Sequence, residues 1–323
     1  MSMKKDKNKS NNAVVTKTIN AITRVSSQIK TTEKILTRIK KHSEDDSDEQ
    51  KENWEKVFND LYNQQEWNKL LTLSNNCIDL FPRWGICYLY RGLAKAKLMD
   101  YDGAIEDFTM TIEIDNEDVI AYCNRGETKG RLGKYREAIR DFDKAIKLDS
   151  QFTTAYCNRG VAKNNLGDYE GAIDDFNKAI ELDRQDIDAY CNRGLAKSKL
   201  GNYREAISDF DKAIELDRED ANTYINRGCA KSDLEDYEGA INDYNKAIEL
   251  DSQDVDAFYN RGLSKHSLGD YKGAIDDYTK AIELNNNDAD AYYNRGLVKK
   301  ALGDFEGAEK DNLTAEKLEN EQK

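Results

Sequence analysis

The chain has 323 residues, 34% of them charged and only 38% hydrophobic, with one proline and a formal net charge of −13. That balance excludes a single large apolar core and suits an array of short units, each burying one face against its neighbour. No stretch approaches the roughly 20 apolar residues of a membrane-spanning helix, and the longest apolar run in the first 30 residues, Ala13-Val14-Val15, is too short for a signal-peptide core, so the expectation is a soluble, cytoplasmic protein.

Residues 1–50 form a class of their own. From Met1 to Lys41 there are 11 Lys and Arg against 2 Asp and Glu, a charge of +9 that leaves −22 on the rest of the chain. Val15, Ile22, Ile29 and Leu36 recur every seven residues, with Val25 and Ile39 between them, the spacing of a helix with one apolar edge. The many Thr and Val weaken that helix, and a disordered basic tail is equally compatible with the composition. Ser43 to Glu52 reads as an acidic linker.

Residues 51–84 read as a degenerate unit that caps the array beginning at Gly85. In the register of that array, Phe58 and Leu70 stand where later units have a small residue, so its two helices are expected to sit further apart.

From Gly85 to Gln322 the sequence repeats with a period of 34 residues, seven times. Gly92, Gly126, Gly160, Gly194, Gly228, Gly262 and Gly296 mark the period, and Ala104, Ala138, Ala172, Ala206, Ala240, Ala274 and Ala308 follow each by 12. An aromatic column (Phe108, Phe142, Phe176, Phe210, Tyr244, Tyr278) and a second small column (Ala145, Ala179, Ala213, Ala247, Ala281) keep the same register. Within Ile187 to Asp220, the spacing of Ala189, Tyr190, Gly194, Ala196 and Leu200, then of Tyr203, Ala206, Ile207, Phe210, Ala213 and Ile214, predicts two amphipathic helices. Gly201 is placed to end the first in a left-handed conformation and Asn202 to cap the second, while Gly194 and Ala206 are small where the two backbones approach. Helices of about 13 residues are marginal alone, so each unit needs its neighbours. In the last unit Glu309, Asn312 and Glu316 replace the apolar stripe of Ile275, Tyr278 and Ile282, which predicts Phe305 to Leu318 as the closing helix of the array.

The spacing of Tyr190, Gly194, Ala206, Phe210 and Ala213 resembles the tetratricopeptide repeat. Trp54 stands at that family's aromatic position and Pro82 at its proline position, whereas Asn116, Ser150, Arg184, Arg218, Ser252, Asn286 and Asn320 replace the proline in the seven regular units. The resemblance implies an all-α fold, a right-handed superhelical solenoid of tandem antiparallel helix pairs, whose first helices line a concave groove that binds a peptide segment of a partner. On that groove fall Asn124, Asn158, Asn192, Asn226, Asn260 and Asn294, whose carboxamides suit an extended backbone, together with the apolar Leu195, Tyr259, Leu263, Tyr293 and Leu297. An alternative for the Asn column is a local cap or simple hydration.

Three charged columns accompany each unit: an Arg before the Gly, a Lys four residues later, and an Asp on the second helix, as in Arg159, Lys163 and Asp175. Like charges at i,i+4 repel unless a carboxylate lies between them, so each Asp is expected to bridge its Arg and Lys. The six cysteines (Cys77, Cys87, Cys123, Cys157, Cys191, Cys229) show no C-x-x-C pair and no metal-ligand spacing, so neither a disulfide nor a metal is expected. With His42 and His266 the only histidines and no nucleophile motif beside them, no enzyme activity, cofactor or small-molecule substrate is expected.

A chaperone-adaptor subclass of the family grips acidic tails with Lys, Asn and Arg. Here the residue before each Asn is Cys, Ile or Tyr, and the place two residues ahead of the aromatic of the first helix holds Ile86, Ile120, Thr154, Asp188, Asn222, Asp256 and Asp290, never Lys. The reading is a protein-interaction scaffold. The alternatives are a chaperone adaptor, or a nucleic-acid or membrane-surface adaptor acting through residues 1–41. Oligomeric state and partner identity are not encoded legibly, because repeat residues specify the fold more strongly than the ligand.

Overall fold

A computed structural model describes residues 48–321, with side chains from Glu52 onward. The basic tail with its seven-residue apolar spacing therefore lies outside the described residues. The chain forms two compact units, one ending at Thr128 and one starting at Lys129. The first contains α1 (Asp48–Asn63), α2 (Trp67–Leu80), α3 (Gly85–Lys97), α4 (Tyr101–Ile114) and most of α5 (Val119–Arg131). The second contains α6 (Tyr135–Leu148), α7 (Thr153–Asn165), α8 (Tyr169–Leu182), α9 (Ile187–Lys199), α10 (Tyr203–Leu216), α11 (Ala221–Asp233), α12 (Tyr237–Leu250), α13 (Val255–Ser267), α14 (Tyr271–Leu284), α15 (Ala289–Ala301) and α16 (Phe305–Glu321). Among the described residues there is no strand; the fold is an all-α solenoid of tandem helix pairs, each joined by a three-residue turn.

The turns show why the pairs close as they do. Gly201 has φ +79°, the left-handed value expected of it, and Met99 and Glu235 adopt φ +66° and +63° at the equivalent places without a glycine. Asn202 does not cap α10, contrary to expectation, whereas Asp100, Asp168, Asp236 and Asp270 cap the equivalent helices by accepting the backbone N–H of a Gly three residues on. A Cβ on Gly171 would lie 2.4 Å from Asp168 Oδ2, so the capping carboxylate sits tight against glycine there, while Glu205 stands three residues after Asn202.

Each pair packs around its aromatic. Phe210 and Ala206 are fully buried, and a Cβ on Gly194 would come within 2.7 Å of the Phe210 ring. The glycine is thus small for the ring rather than for the facing backbone. Gly160 with Phe176 and Gly228 with Tyr244 repeat the contact. In the first unit Trp54, Phe58 and Leu70 are buried in one cluster with Leu73, Cys77, Cys87 and Ala94.

Cys77 and Cys87 form a disulfide, with Cα atoms 5.8 Å apart. This corrects the sequence expectation, which looked for closely spaced pairs. Ten residues separate the two, and the short turn after α2 lays the start of α3 against its end, within the span a disulfide requires. Cys123, Cys157, Cys191 and Cys229 are not disulfide-bonded.

The aromatic column supplies one test of this packing. Tyr244 donates its hydroxyl to Cys229 Sγ at 3.5 Å, but the Tyr278 hydroxyl is buried with no hydrogen-bond partner among the described residues, and burial pushes its phenol well above the ordinary value. Four earlier units have Phe in this column. Tyr278→Phe is therefore expected to stabilise the chain by about 1 kcal/mol, the cost of an unsatisfied buried polar group, and a melting temperature unchanged or lower would contradict it.

Candidate functional site

In the regular units the first helix is locked to its own second helix by an ion triad. Asp175 accepts Arg159 Nε at 2.9 Å and Nη2 at 2.6 Å, and pairs with Lys163 Nζ at 2.8 Å. Asp107, Asp209, Asp243, Asp277 and Asp311 bridge their Arg and Lys in the same way, as expected from the repulsion between the two cations. At Asp311, burial pushes the carboxyl up, but hydrogen bonds from Arg295 and Lys299 outweigh it and hold the group below the usual carboxylate value.

The Arg has two further contacts that the charge columns do not reveal. Its guanidinium lies over the aromatic ring three residues before it, 5.3 to 5.6 Å from the centroid in every regular unit. Its free Nη1 donates backward to the preceding second helix: Arg91 to Asn75, Arg125 to Thr109, Arg159 to Asp143, Arg193 to Asn177, Arg227 to Asp211, Arg261 to Asn245 and Arg295 to Thr279. The signal was present in the sequence, since every residue 16 before an Arg can accept a hydrogen bond. Leu313 stands at this place on the last second helix and is 60% exposed.

With the Arg, Lys, Gly and Ala columns facing the second helices, residues such as Asp188, Cys191, Asn192, Leu195 and Lys199 share the remaining face of α9, by their spacing of three, four and seven. Within the second unit α7, α9, α11, α13 and α15 each pack directly on the next, so these faces form one continuous surface. In three helices the residue before the Asn ties one first helix to its neighbourhood: Cys157 Sγ donates to Asp186, Cys191 meets Thr223 Oγ1 at 3.1 Å, and Tyr259 accepts from Asn294 Nδ2 at 2.9 Å.

The predicted residues divide here. Asn124, Asn192 and Asn294 turn their Nδ2 back onto the carbonyls of Ile120, Asp188 and Asp290 one turn earlier, leaving Oδ1 as the outward group. Asn158 is half-buried and partnered. Asn226 and Asn260 have no hydrogen-bond partner among the described residues and lie half-buried on the surface. Leu195, Tyr259 and Leu263 are half-buried, while Tyr293 and Leu297 are 50% and 38% exposed. Burial raises the thiols of Cys157, Cys191 and Cys229, so none is held as a thiolate. Among the described residues no group of His, Cys, Asp and Glu could hold a metal, and no helix is long and apolar enough to cross a membrane.

Comparison with known families places this geometry. The family described as "TPR repeat" matches residues 163–201, 230–269 and 262–303, and two described as "Tetratricopeptide repeat" match 119–152 and 187–220, and 289–321. Of solved structures, YrrB, described as a TPR protein with an unusual peptide-binding site, is 27% identical over 58% of this chain and 96% of its own, with a TM-score of 0.50. A tetratricopeptide repeat protein from Parabacteroides merdae shares the fold at 23% identity, covering 72% of this chain and 91% of its own, TM-score 0.59. A chain of the APC/C hetero-tetramer Cut9-Hcn1 is also similar in fold, at 20% identity over 75% of this chain but 48% of the matched chain, TM-score 0.63. No curated protein matches the sequence.

Proposed function

Because the chain belongs to the tetratricopeptide repeat family, we propose that it is an interaction scaffold whose first helices hold an extended segment of a partner polypeptide. The observation that carries this reading is the pair of carboxamides, Asn226 and Asn260, left unpartnered beside the Arg, Lys and second-helix Asp columns that the fold pairs with one another. A carboxamide donates and accepts at once, which matches one peptide unit of an extended backbone. The similarity to YrrB supports peptide recognition by this fold. A chaperone-adaptor role is less well supported, because the face presents Asp188, Asp256 and Asp290 where binding of acidic tails would need cations.

The test is to capture a partner with the full chain and measure its affinity for the double variant Asn226→Ala, Asn260→Ala. At about 1 kcal/mol per hydrogen bond, affinity is expected to fall by about thirtyfold. Melting behaviour should stay that of the parent, since neither amide serves the fold. Unchanged affinity would sink the proposal.

A further inference from the structure

We infer that the partner segment on this face is basic and apolar, with Lys or Arg and a large apolar residue each recurring about every third position. The inference rests on the scaffold reading and adds the chemistry of its ligand. Its first support is a row of carboxylates that the fold does not use. Asp at a helix start is ordinarily a cap, but in α9, α13 and α15 that role belongs to Asp186, Asp254 and Asp288, which accept the backbone N–H of Ala189, Ala257 and Ala291. Asp188, Asp256 and Asp290, two residues further on, are exposed, and their carboxylates have no hydrogen bond or ion pair among the described residues.

The second support is what lies beside that row. About one turn deeper, Ile225, Tyr259 and Tyr293, followed by Leu195, Leu263 and Leu297, make an apolar strip that opens toward α15. The Arg and Lys columns of these helices are turned to the buried Asp of each pair, so they cannot neutralise the row. Of the cations left over, Lys199 and Lys300 stand in the last turns of their helices, away from it. An acidic segment would meet only unpaired carboxylates there, whereas a basic one complements them.

The period follows from the packing. Adjacent helices stand roughly 8 to 10 Å apart, and an extended polyproline-II chain advances about 9 Å in three residues while returning to the same edge. Basic residues at every third position thus meet Asp188, Asp256 and Asp290 on α9, α13 and α15, with Asn222 at the corresponding place on α11, and apolar residues in the next register lie over the strip.

The probe is a fluorescein-labelled peptide of five Lys-Leu-Gln triplets, titrated with the full chain at low salt and compared with five Glu-Leu-Gln triplets. The Lys peptide is expected to bind at least tenfold more tightly than the Glu peptide, and to weaken as salt screens the contact. The triple variant Asp188→Asn, Asp256→Asn, Asp290→Asn should lose at least tenfold. A control removing three exposed carboxylates from second helices, Glu181→Gln, Glu215→Gln, Glu249→Gln, should stay within twofold of the parent. Equal loss in both triples would mean that net charge alone attracts the peptide, and would overturn the inference. So would absence of binding by the Lys peptide. Equal binding of the two peptides would overturn it while leaving the scaffold reading to the Asn226 and Asn260 test.

Discussion

Asp175→Ala is expected to lower the stability of the chain by about 3–5 kcal/mol, the range for removing one partner of a buried ion pair. Asp175 is 3% exposed and neutralises both Arg159 and Lys163. Its loss leaves two cations one helical turn apart facing a small apolar gap. Arg159 retains a second carboxylate, Asp143 at 2.6 Å, but that group is 55% exposed and its charge is screened by solvent. Asp143→Ala is accordingly expected to cost less than about 1 kcal/mol. Asp175→Asn should fall between the two, keeping an acceptor while losing the charge. Urea midpoints for the three variants rank them directly. An Asp175→Ala shift no larger than that of Asp143→Ala would show that the triad does not hold the pair together.

The second large effect is a reversal of sign at Gly194. In the parent chain Gly194→Ala puts a Cβ 2.7 Å from the Phe210 ring, so overpacking of about 1–3 kcal/mol outweighs the better helix propensity of alanine. Phe210→Ala, which empties a fully buried site, is expected to cost about 3–5 kcal/mol. Once the ring is gone the new Cβ has room, and Gly194→Ala should stabilise the Phe210→Ala chain by up to about 1 kcal/mol. Double-mutant analysis of the four chains gives the coupling. Additive effects would mean that Gly194 is small for a reason other than the ring.

Much of this architecture was legible before any coordinates. The 34-residue period, the two helices of each unit and the Arg, Lys and Asp columns follow from spacing alone, because a helix places residues three, four and seven apart on one face whatever surrounds it. The Asp triads were legible for the same reason: two like charges one turn apart require a carboxylate, and the only column available was the Asp on the second helix.

Tertiary structure decided the choices among neighbours. Period and polarity place Asn192 and Asn226 in one column, yet Asn192 bonds back to its own helix while Asn226 does not. Cys77 and Cys87 are ten residues apart in a chain whose other cysteines form no disulfide, and only the turn between α2 and α3 brings their sulfurs together. Arg159 Nη1 reaches back to Asp143 because the preceding second helix presents an acceptor within its span. Periodicity records which residues share a face, a property of one helix; which of several groups within hydrogen-bonding reach a donor takes depends on angstrom-scale distances between helices, and these exist only in the packed array.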